Sequence, residues 1–294
     1  MRCLPLTLMA LLGTFTATLP ASALEKTDVP YAQPAMKEHQ LDLNIPDGHG
    51  PFTAVIMIHG GGFDMGDKAG TGLKPLLNTL SQAGVAWFSI NYRMGPDYHL
   101  PQAIEDVNTS IRWVKEHAAE YHVNPRKIVI AGESAGGYLA GYAATHPERG
   151  TELAAVLDFY GGMDYVTLTQ LRHDHPERFD MKNLNGHIAN GGGIRFFGVN
   201  SLDDAGWTRL KEVSPYYAVR KGVPPFLIIH GNADDQVAYE QSPAMCDAIR
   251  KAGSKCDLIT IEGGGHGMSK WEKDQAMQHW KPELVDWLKK TVGI

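Results

Sequence analysis

Two kinds of apolar pattern alternate along the chain. The runs 53–58, 85–92 and 225–229 are almost continuously apolar, which is typical of strands buried on both faces of a sheet. From Pro101 onward, apolar residues instead return at spacings of three and four, which predicts a long helix with one buried stripe. Strands that alternate with helices imply the α/β class, with a mostly parallel central sheet and helices on both faces.

The same patterns locate the other elements. The polar, proline-containing stretch 25–37 indicates an extended arm that precedes them. The further predicted strands are 39–45, 153–160 and 258–261, and the further predicted helices are 73–83, 239–251 and about 270–290.

Between residues 162 and 215 both patterns weaken. The glycine-rich run 190–193 interrupts short apolar clusters such as Phe196-Phe197. This stretch is too long for a plain loop in a compact domain, so we predict an inserted cap over the strand ends. The group His173-Asp174-His175 could suggest a metal site, but no further ligands recur at useful spacing, which favours a solvated loop.

The segment 127–137 carries the most informative local motif, an apolar run that turns through glycines into a helical pattern. Ser134 lies at the apex of the turn, with Gly132 and Gly136 two residues to either side. A strand that reverses directly into a helix crowds the backbone, and residues without a Cβ relieve that crowding. We therefore expect a strained turn from which the serine hydroxyl projects.

A serine hydroxyl is a poor nucleophile at neutral pH unless a base, and a group that orients the base, lie nearby. Two later strand ends supply candidates for these roles. Asp234 follows the strand 225–229, and His266 follows the strand 258–261 in a glycine-flanked loop. Because ligands of parallel α/β sheets bind at the carboxyl ends of the strands, we expect these side chains at one edge of the sheet.

Composition limits the classes of function. The 294 residues are 43% hydrophobic and 20% charged, which suffices for one large core and favours a single catalytic domain over residues 24–294. The net charge of −6 is spread along the chain without a basic stripe, so no nucleic acid is expected as a partner.

The first residues form a separate unit. Arg2 precedes the stretch 4–19, which is apolar apart from threonines, and small residues at 21–23 form a cleavage pattern. These features predict a signal peptide at 1–23 and a secreted or periplasmic mature protein without a membrane anchor. An uncleaved anchor is the alternative, although the apolar stretch is shorter than the ~20 residues of a spanning helix.

Three cysteines are present. Cys3 precedes the apolar stretch, whereas a lipid-modified cysteine would follow it. Cys246 and Cys256 remain after cleavage in a protein expected in an oxidising compartment, and we predict a disulfide between them. Two free buried thiols are the alternative, because the sequence does not define their geometry.

The order serine, aspartate, histidine, together with the strand, elbow and helix, resembles the α/β-hydrolase fold. The chain is most similar to the secreted esterase branch of that superfamily, related to hormone-sensitive lipase and to acetylxylan and feruloyl esterases. The resemblance extends from about residue 41 to the C-terminus. The motifs that carry it are His59-Gly60-Gly61-Gly62, Asn91-Tyr92-Arg93, Gly132-Glu133-Ser134-Ala135-Gly136-Gly137, Ser214-Pro215, His230-Gly231-x-x-Asp234-x-x-Val237 and Gly265-His266-Gly267.

This resemblance implies a role for each candidate. Ser134 would attack the ester carbonyl, His266 would accept and return the proton, and Asp234 would orient the imidazole. Asp235 is the rival acid, but the family pattern places the acid four residues after the histidine of His-Gly, which favours Asp234.

The resemblance also assigns an oxyanion hole to the backbone amides of Gly61, Gly62 and Ala135, since glycine-rich backbone can approach a substrate closely. Glu133 is expected to act as a structural hydrogen-bond partner beneath the elbow rather than as a catalyst. His230 ends a strand and is expected to hold a loop by hydrogen bonds.

The predicted function is a serine carboxylic ester hydrolase that acts through an acyl-enzyme. Its expected substrate is a small-molecule or oligosaccharide ester, with short-chain or aromatic acyl groups, as for acetylxylan and feruloyl esterases. No cofactor and no metal are expected, because the triad and the oxyanion amides suffice for this reaction. Two alternatives are an amidase or peptidase of the same fold, similar to aryl formamidases, and a catalytically inactive binding module.

Overall fold

A computed structural model describes residues 23–294, in which eight strands form one sheet. The order across the sheet is β1-β2-β4-β3-β5-β6-β7-β8. β2 pairs antiparallel with both of its neighbours, whereas β4, β3, β5, β6, β7 and β8 run parallel. The strands are β1 (Leu24–Pro30), β2 (Gln40–Ile45), β3 (Phe52–Ile58), β4 (Ala86–Ile90), β5 (Val123–Glu133), β6 (Ala155–Phe159), β7 (Phe226–Gly231) and β8 (Cys256–Ile261).

Helices cover both faces of this sheet, as the alternating pattern predicts. Within the described residues the α-helices are α1 (Lys74–Gln82), α2 (Leu100–Glu116), α3 (Ala135–Thr145), α4 (Tyr165–Asp174), α5 (Met181–Ala189), α6 (Asp204–Val213), α7 (Gln241–Lys251), α8 (Met268–Trp271) and α9 (Trp280–Thr291).

The sheet separates two hydrophobic cores. Ile56 of β3 joins the core formed with α2, α3, α7 and the segment 162–215, whereas its neighbour Val55 joins the core formed with α1 and α9. Successive side chains of a strand point to opposite faces, so a strand covered on both sides is apolar at every position. This explains why β3 is almost continuously apolar in sequence.

Near the two ends of the described chain, two segments differ from expectation. The arm expected at 25–37 contains β1, which pairs antiparallel with β2 at the edge of the sheet. Most of its side chains are exposed, so no apolar alternation marks it. The single helix expected at about 270–290 is instead divided into α8, a 3₁₀ turn at 275–279 and α9, and the side chain of Asp274 caps the turn by accepting the amide of Ala276 at 2.9 Å.

Three helices, α4, α5 and α6, occupy most of the segment 162–215, which we call the cap segment. Each begins after an aspartate whose side chain accepts a backbone N–H of the first turn, namely Asp164, Asp180 and Asp203. Aspartate is among the preferred N-cap residues, because its carboxylate satisfies an amide that the helix itself leaves unpaired. These caps are a sequence signal that the weak apolar periodicity concealed.

The expected loop at 173–175 also differs from the structure. His173 and Asp174 belong to the last turn of α4, although their side chains are exposed, as expected, and hydrogen-bond to each other at 2.9 Å. In the part of the chain that the structure describes, no three His, Cys, Asp or Glu side chains are grouped so that they could hold a metal ion.

Cys246 of α7 and Cys256 of β8 form a disulfide, the pairing predicted from the sequence. Among residues 23–294, no helix combines the length and apolar character that crossing a bilayer requires. The predicted signal peptide lies outside the described residues, apart from Ala23, and remains a prediction.

Candidate active site

The turn between β5 and α3 is the tight elbow that the sequence indicates. Ser134 lies between the two elements with φ 54° and ψ −117°, and its amide donates to the Phe159 carbonyl at 2.8 Å. A Cβ on Gly132 would lie 2.1 Å from the Gly136 carbonyl oxygen, and one on Gly136 would lie 2.2 Å from the Ile58 carbonyl oxygen. The two flanking glycines are therefore a steric requirement of the turn.

Three loops at the carboxyl ends of β5, β7 and β8 bring the predicted triad together. Ser134 Oγ lies 2.9 Å from His266 Nε2. On the other side of the imidazole, His266 Nδ1 lies 2.7 Å from Asp234 Oδ2. With the proton on Nδ1, His266 donates to the carboxylate and presents Nε2 as an acceptor for the serine hydroxyl.

The Asp234 carboxylate is completely buried and is held by donors on both oxygens. The amides of Gln236 and Val237 donate to Oδ1 at 2.8 Å each, and His230 Nε2 lies 3.2 Å from Oδ2. Burial by itself raises the pKa of the Asp234 carboxyl, but the charge of His266 and the hydrogen bonds from His230 and His266 outweigh it, so the pKa is lowered. Asp234 is thus held as a carboxylate although no solvent reaches it.

Asp235, the rival acid, lies on the outside of the same loop. Asp235 is exposed, and its backbone carbonyl accepts a hydrogen bond from the amide of Asp180 at 2.8 Å. The residue that hydrogen-bonds to His266 is Asp234.

The glycine loop after β3 borders the serine. Gly61 and Gly62 have φ of 111° and 62°, a conformation that L side chains rarely adopt. Within residues 23–294, the amides of Gly61, Gly62 and Ala135 donate to no protein acceptor. Gly62, Ala135 and Ser134 line the same cavity.

Tyr160, which the sequence analysis did not single out, connects the elbow to the histidine loop. Its hydroxyl donates to Glu133 Oε2 at 2.5 Å and accepts the amide of Met268 at 3.0 Å, while its ring lies edge-on to the His266 imidazole. Glu133 also accepts the amide of Gly60 at 3.4 Å. The signal in the sequence was the place of Tyr160 at the end of β6, the same edge of the sheet that supplies the triad.

A second histidine–aspartate pair fastens the glycine loop to the cap segment. His187 Nδ1 in α5 lies 2.6 Å from Oδ1 of Asp64, whose side chain is 1% exposed. The amide of Gly193 donates to the Gly62 carbonyl at 2.9 Å. Sequence reasoning missed both contacts, since residues at least 123 positions apart show no local pattern.

The cavity beside Ser134 has a volume of about 250 Å³. Most of its wall comes from the cap segment. The lining residues are Gly62, Phe63, Ser134, Ala135, Gly162, Tyr165, Thr169, Arg172, His173, Met181, Leu184, His187, Ile188, Gly193, Ile194, Leu202, Gln236 and Val237.

A mostly parallel sheet covered by helices, with a serine elbow after its fifth strand, defines the α/β-hydrolase fold. Comparison with known families gives a match to the BD-FAE family over residues 41–249. The chain belongs to the BD-FAE family.

Curated relatives include the "Probable carboxylic ester hydrolase LipM" and the esterase LipC, both of Mycobacterium tuberculosis. LipM is 29% identical over 247 residues, which cover 80% of this chain and 54% of LipM. LipC is 28% identical over 229 residues, which cover 74% of this chain and 53% of LipC. The chain thus spans about half the length of these relatives.

Solved structures with the same fold include esterase 2 of Thermogutta terrifontis and a truncated carbohydrate esterase from gut microbiota. The first superposes with a TM-score of 0.65 at 26% identity, and the match covers 93% of this chain and 94% of the Thermogutta chain. The second superposes with a TM-score of 0.71 at 24% identity, and the match covers 94% of this chain and 98% of the gut esterase chain.

Proposed function

We propose that this protein is a serine carboxylic ester hydrolase that works through an acyl-enzyme. The observation that carries the proposal is the continuous hydrogen-bonded chain from Ser134 Oγ through His266 to the buried Asp234. The names of LipM, LipC and the Thermogutta esterase, all ester hydrolases, support the same reaction class.

In the first half of the reaction, Ser134 Oγ bonds to the ester carbonyl carbon while its proton passes to His266 Nε2. The tetrahedral intermediate then breaks its bond to the alcohol oxygen, which takes the proton from His266. The products of this half are the free alcohol and an acyl group on Ser134. A water molecule repeats the sequence on the acyl-enzyme and releases the acid and the free serine.

Asp234 has two tasks in this scheme. Its hydrogen bond holds His266 in the tautomer that leaves Nε2 free to accept a proton, and its negative charge stabilises the imidazolium that forms. Its burial strengthens both effects, because water does not screen the interaction.

The developing oxyanion would accept hydrogen bonds from the amides of Gly61, Gly62 and Ala135. These amides have no protein acceptor among the described residues, so they can serve a ligand without first breaking another bond, and Gly62 and Ala135 line the cavity with Ser134.

For the substrate we propose short-chain or aromatic acyl esters of carbohydrates. The sequence resemblance to acetylxylan and feruloyl esterases supports this choice, as does the predicted export to the periplasm or beyond. A cavity of about 250 Å³ suits a short or single-ring group beside the serine.

Purified protein should hydrolyse 4-nitrophenyl esters, with a preference for acetate over long chains, and should release acetate from acetylated xylan. Ser134→Ala should remove nearly all of this turnover without loss of the folded state, because the hydroxyl contributes little packing. Full activity in a folded Ser134→Ala protein would contradict the mechanism. Turnover of amides in place of esters would favour an amidase.

A further inference from the structure

Arg172, on the last turn of α4, is half-buried, and its guanidinium has few partners. Its Nη2 donates to the Gln236 carbonyl at 2.6 Å, whereas its Nε is buried and has no hydrogen-bond partner. In the described part of the chain, no carboxylate lies within 4.0 Å of its nitrogens. A guanidinium carries five N–H donors, so most of its hydrogen-bonding capacity is not used by this contact.

A buried cation without a paired anion is unfavourable, since the protein interior replaces hydration poorly. The pKa of Arg172 reflects this cost: burial lowers it, and nearby Tyr165 and Asp234 offset only part of the effect. The Asp234 carboxylate is not free to serve as the partner, because two histidines and two amides already hold it.

Within the described chain, no acidic residue lines the cavity that holds Arg172 and Ser134. Its lining residues include Arg172, His173 and His187 but no Asp or Glu. Thr169, one turn before Arg172, adds a hydroxyl oxygen that is buried and has no hydrogen-bond partner among the described residues. An anion in this cavity would therefore meet unused donors and no repelling carboxylate in the wall.

We propose that Arg172 is a specificity residue that binds a carboxylate carried by the ester substrate. The planar guanidinium fork fits the two oxygens of a carboxylate, and such charge-assisted pairs are strong in a site that excludes water. Either an acidic sugar on the alcohol side of the ester or a free carboxyl on its acyl side would supply this carboxylate. The inference rests on the proposed esterase function and specifies its substrate.

The competing role is structural. Through Gln236, Arg172 connects the cap segment to the loop that carries Asp234. In that role Arg172 would affect every ester equally, whereas a carboxylate-binding residue distinguishes charged from neutral esters. The ratio of two kcat/KM values, measured on one enzyme, separates these possibilities.

Two pairs of substrates test the two sides of the ester. On the acyl side, mono-4-nitrophenyl adipate is compared with 4-nitrophenyl hexanoate. On the alcohol side, 4-acetoxybenzoate is compared with 4-acetoxybenzamide. The enzymes are the wild type, Arg172→Met, Arg172→Lys, and Arg178→Met as a control that removes a surface arginine paired with Glu240.

The wild type should prefer the charged ester in at least one pair. Arg172→Met should lower turnover of both esters through the lost Gln236 contact and lower that of the charged ester by a further ~10–100-fold. Arg172→Lys should retain part of the preference, and Arg178→Met all of it. The pair that responds identifies the side that carries the carboxylate.

Equal losses for charged and neutral esters in Arg172→Met would overturn the proposal and leave the structural role. A wild type that hydrolyses neutral esters but discriminates against the charged member of both pairs would overturn it without any variant. No turnover of any ester by the folded wild type would instead contradict the proposed function.

Discussion

Two histidine–aspartate pairs adjoin the candidate active site and are alike in chemistry. The distances from Asp234 to His266 and from Asp64 to His187 are 2.7 Å and 2.6 Å, and both aspartate side chains are at most 1% exposed. The two pairs differ in the group that the rest of the imidazole ring contacts. The second nitrogen of His266 contacts Ser134, whereas the ring of His187 covers Gly62.

The comparison indicates that a histidine–aspartate pair has no fixed role. Its function depends on the group that the imidazole reaches. In the first pair the imidazole contacts the proposed nucleophile, and in the second it joins a glycine loop to the cap segment. Three predictions test this distinction, and a fourth concerns a buried carboxyl group that has no histidine partner.

The largest effect is expected when the first pair is altered. Asp234→Asn should lower kcat by about 10⁴-fold, because an amide that donates to Nδ1 favours the wrong tautomer of His266. Asp235→Asn is the matched control, since its exposed side chain does not contact the histidine, and it should change kcat by less than about twofold. Steady-state kinetics on 4-nitrophenyl acetate measures both, and the reverse ranking would identify Asp235 as the acid.

The next effect concerns the glycine that the second pair covers. Gly62→Ala should reduce kcat by about 10²–10³-fold, because a Cβ would lie 2.3 Å from His187 Nδ1 and displace an amide of the proposed oxyanion hole. Gly222→Ala is the control for backbone strain: Gly222 also has a positive φ, of 91°, but a Cβ there would meet no atom within 4 Å. Similar losses of activity in both variants would show that strain, and not the position of the amide, is responsible.

A third buried carboxylate, Asp158, shows what burial does without a histidine. Burial raises the pKa of Asp158 to about 7, although the hydrogen bond from the Gly161 amide acts to lower it. The folded protein then binds more protons at this site than the unfolded chain between about pH 4 and pH 7, so this site lowers stability as pH rises through that range. The free energy of unfolding falls by roughly 4 kcal/mol at most over this pH range.

Asp158→Asn stays uncharged and keeps an oxygen to accept the Gly161 amide. The difference in Tm between this variant and the wild type should therefore shift in favour of the variant by several degrees from pH 4 to pH 8. Thermal denaturation at both pH values measures it, and a difference independent of pH would show that Asp158 is ionised in the folded protein.

The smallest effect is expected at the second pair itself. His187→Ala should lower kcat about tenfold with little change in KM, because the Asp64 carboxylate would lose its donor and the glycine loop would shift. His187→Gln can still donate to Asp64 and should recover most of the activity. If the two variants are equally impaired, or if only KM responds, the pair does not position the glycine loop for catalysis.

Part of the fold could be predicted from local patterns in the sequence. The apolar runs located the interior strands, and Gly132 and Gly136 located the elbow, since both signals reflect constraints within a few residues. The edge strand β1 and the division between α8 and α9 were missed. An exposed edge strand needs no apolar alternation, and Asp274 interrupts a pattern that is otherwise helical.

By itself, the sequence determined the class of fold and the order of serine, aspartate and histidine, and it favoured the pairing of Cys246 with Cys256, because backbone sterics and residue chemistry act over short distances. Only the tertiary structure decided that His187 meets Asp64, that Tyr160 supports Glu133, and that Arg172 shares a cavity with Ser134. These contacts join elements far apart in the chain. Their geometry follows from how the cap segment packs against the sheet edge, which no local pattern of residues contains.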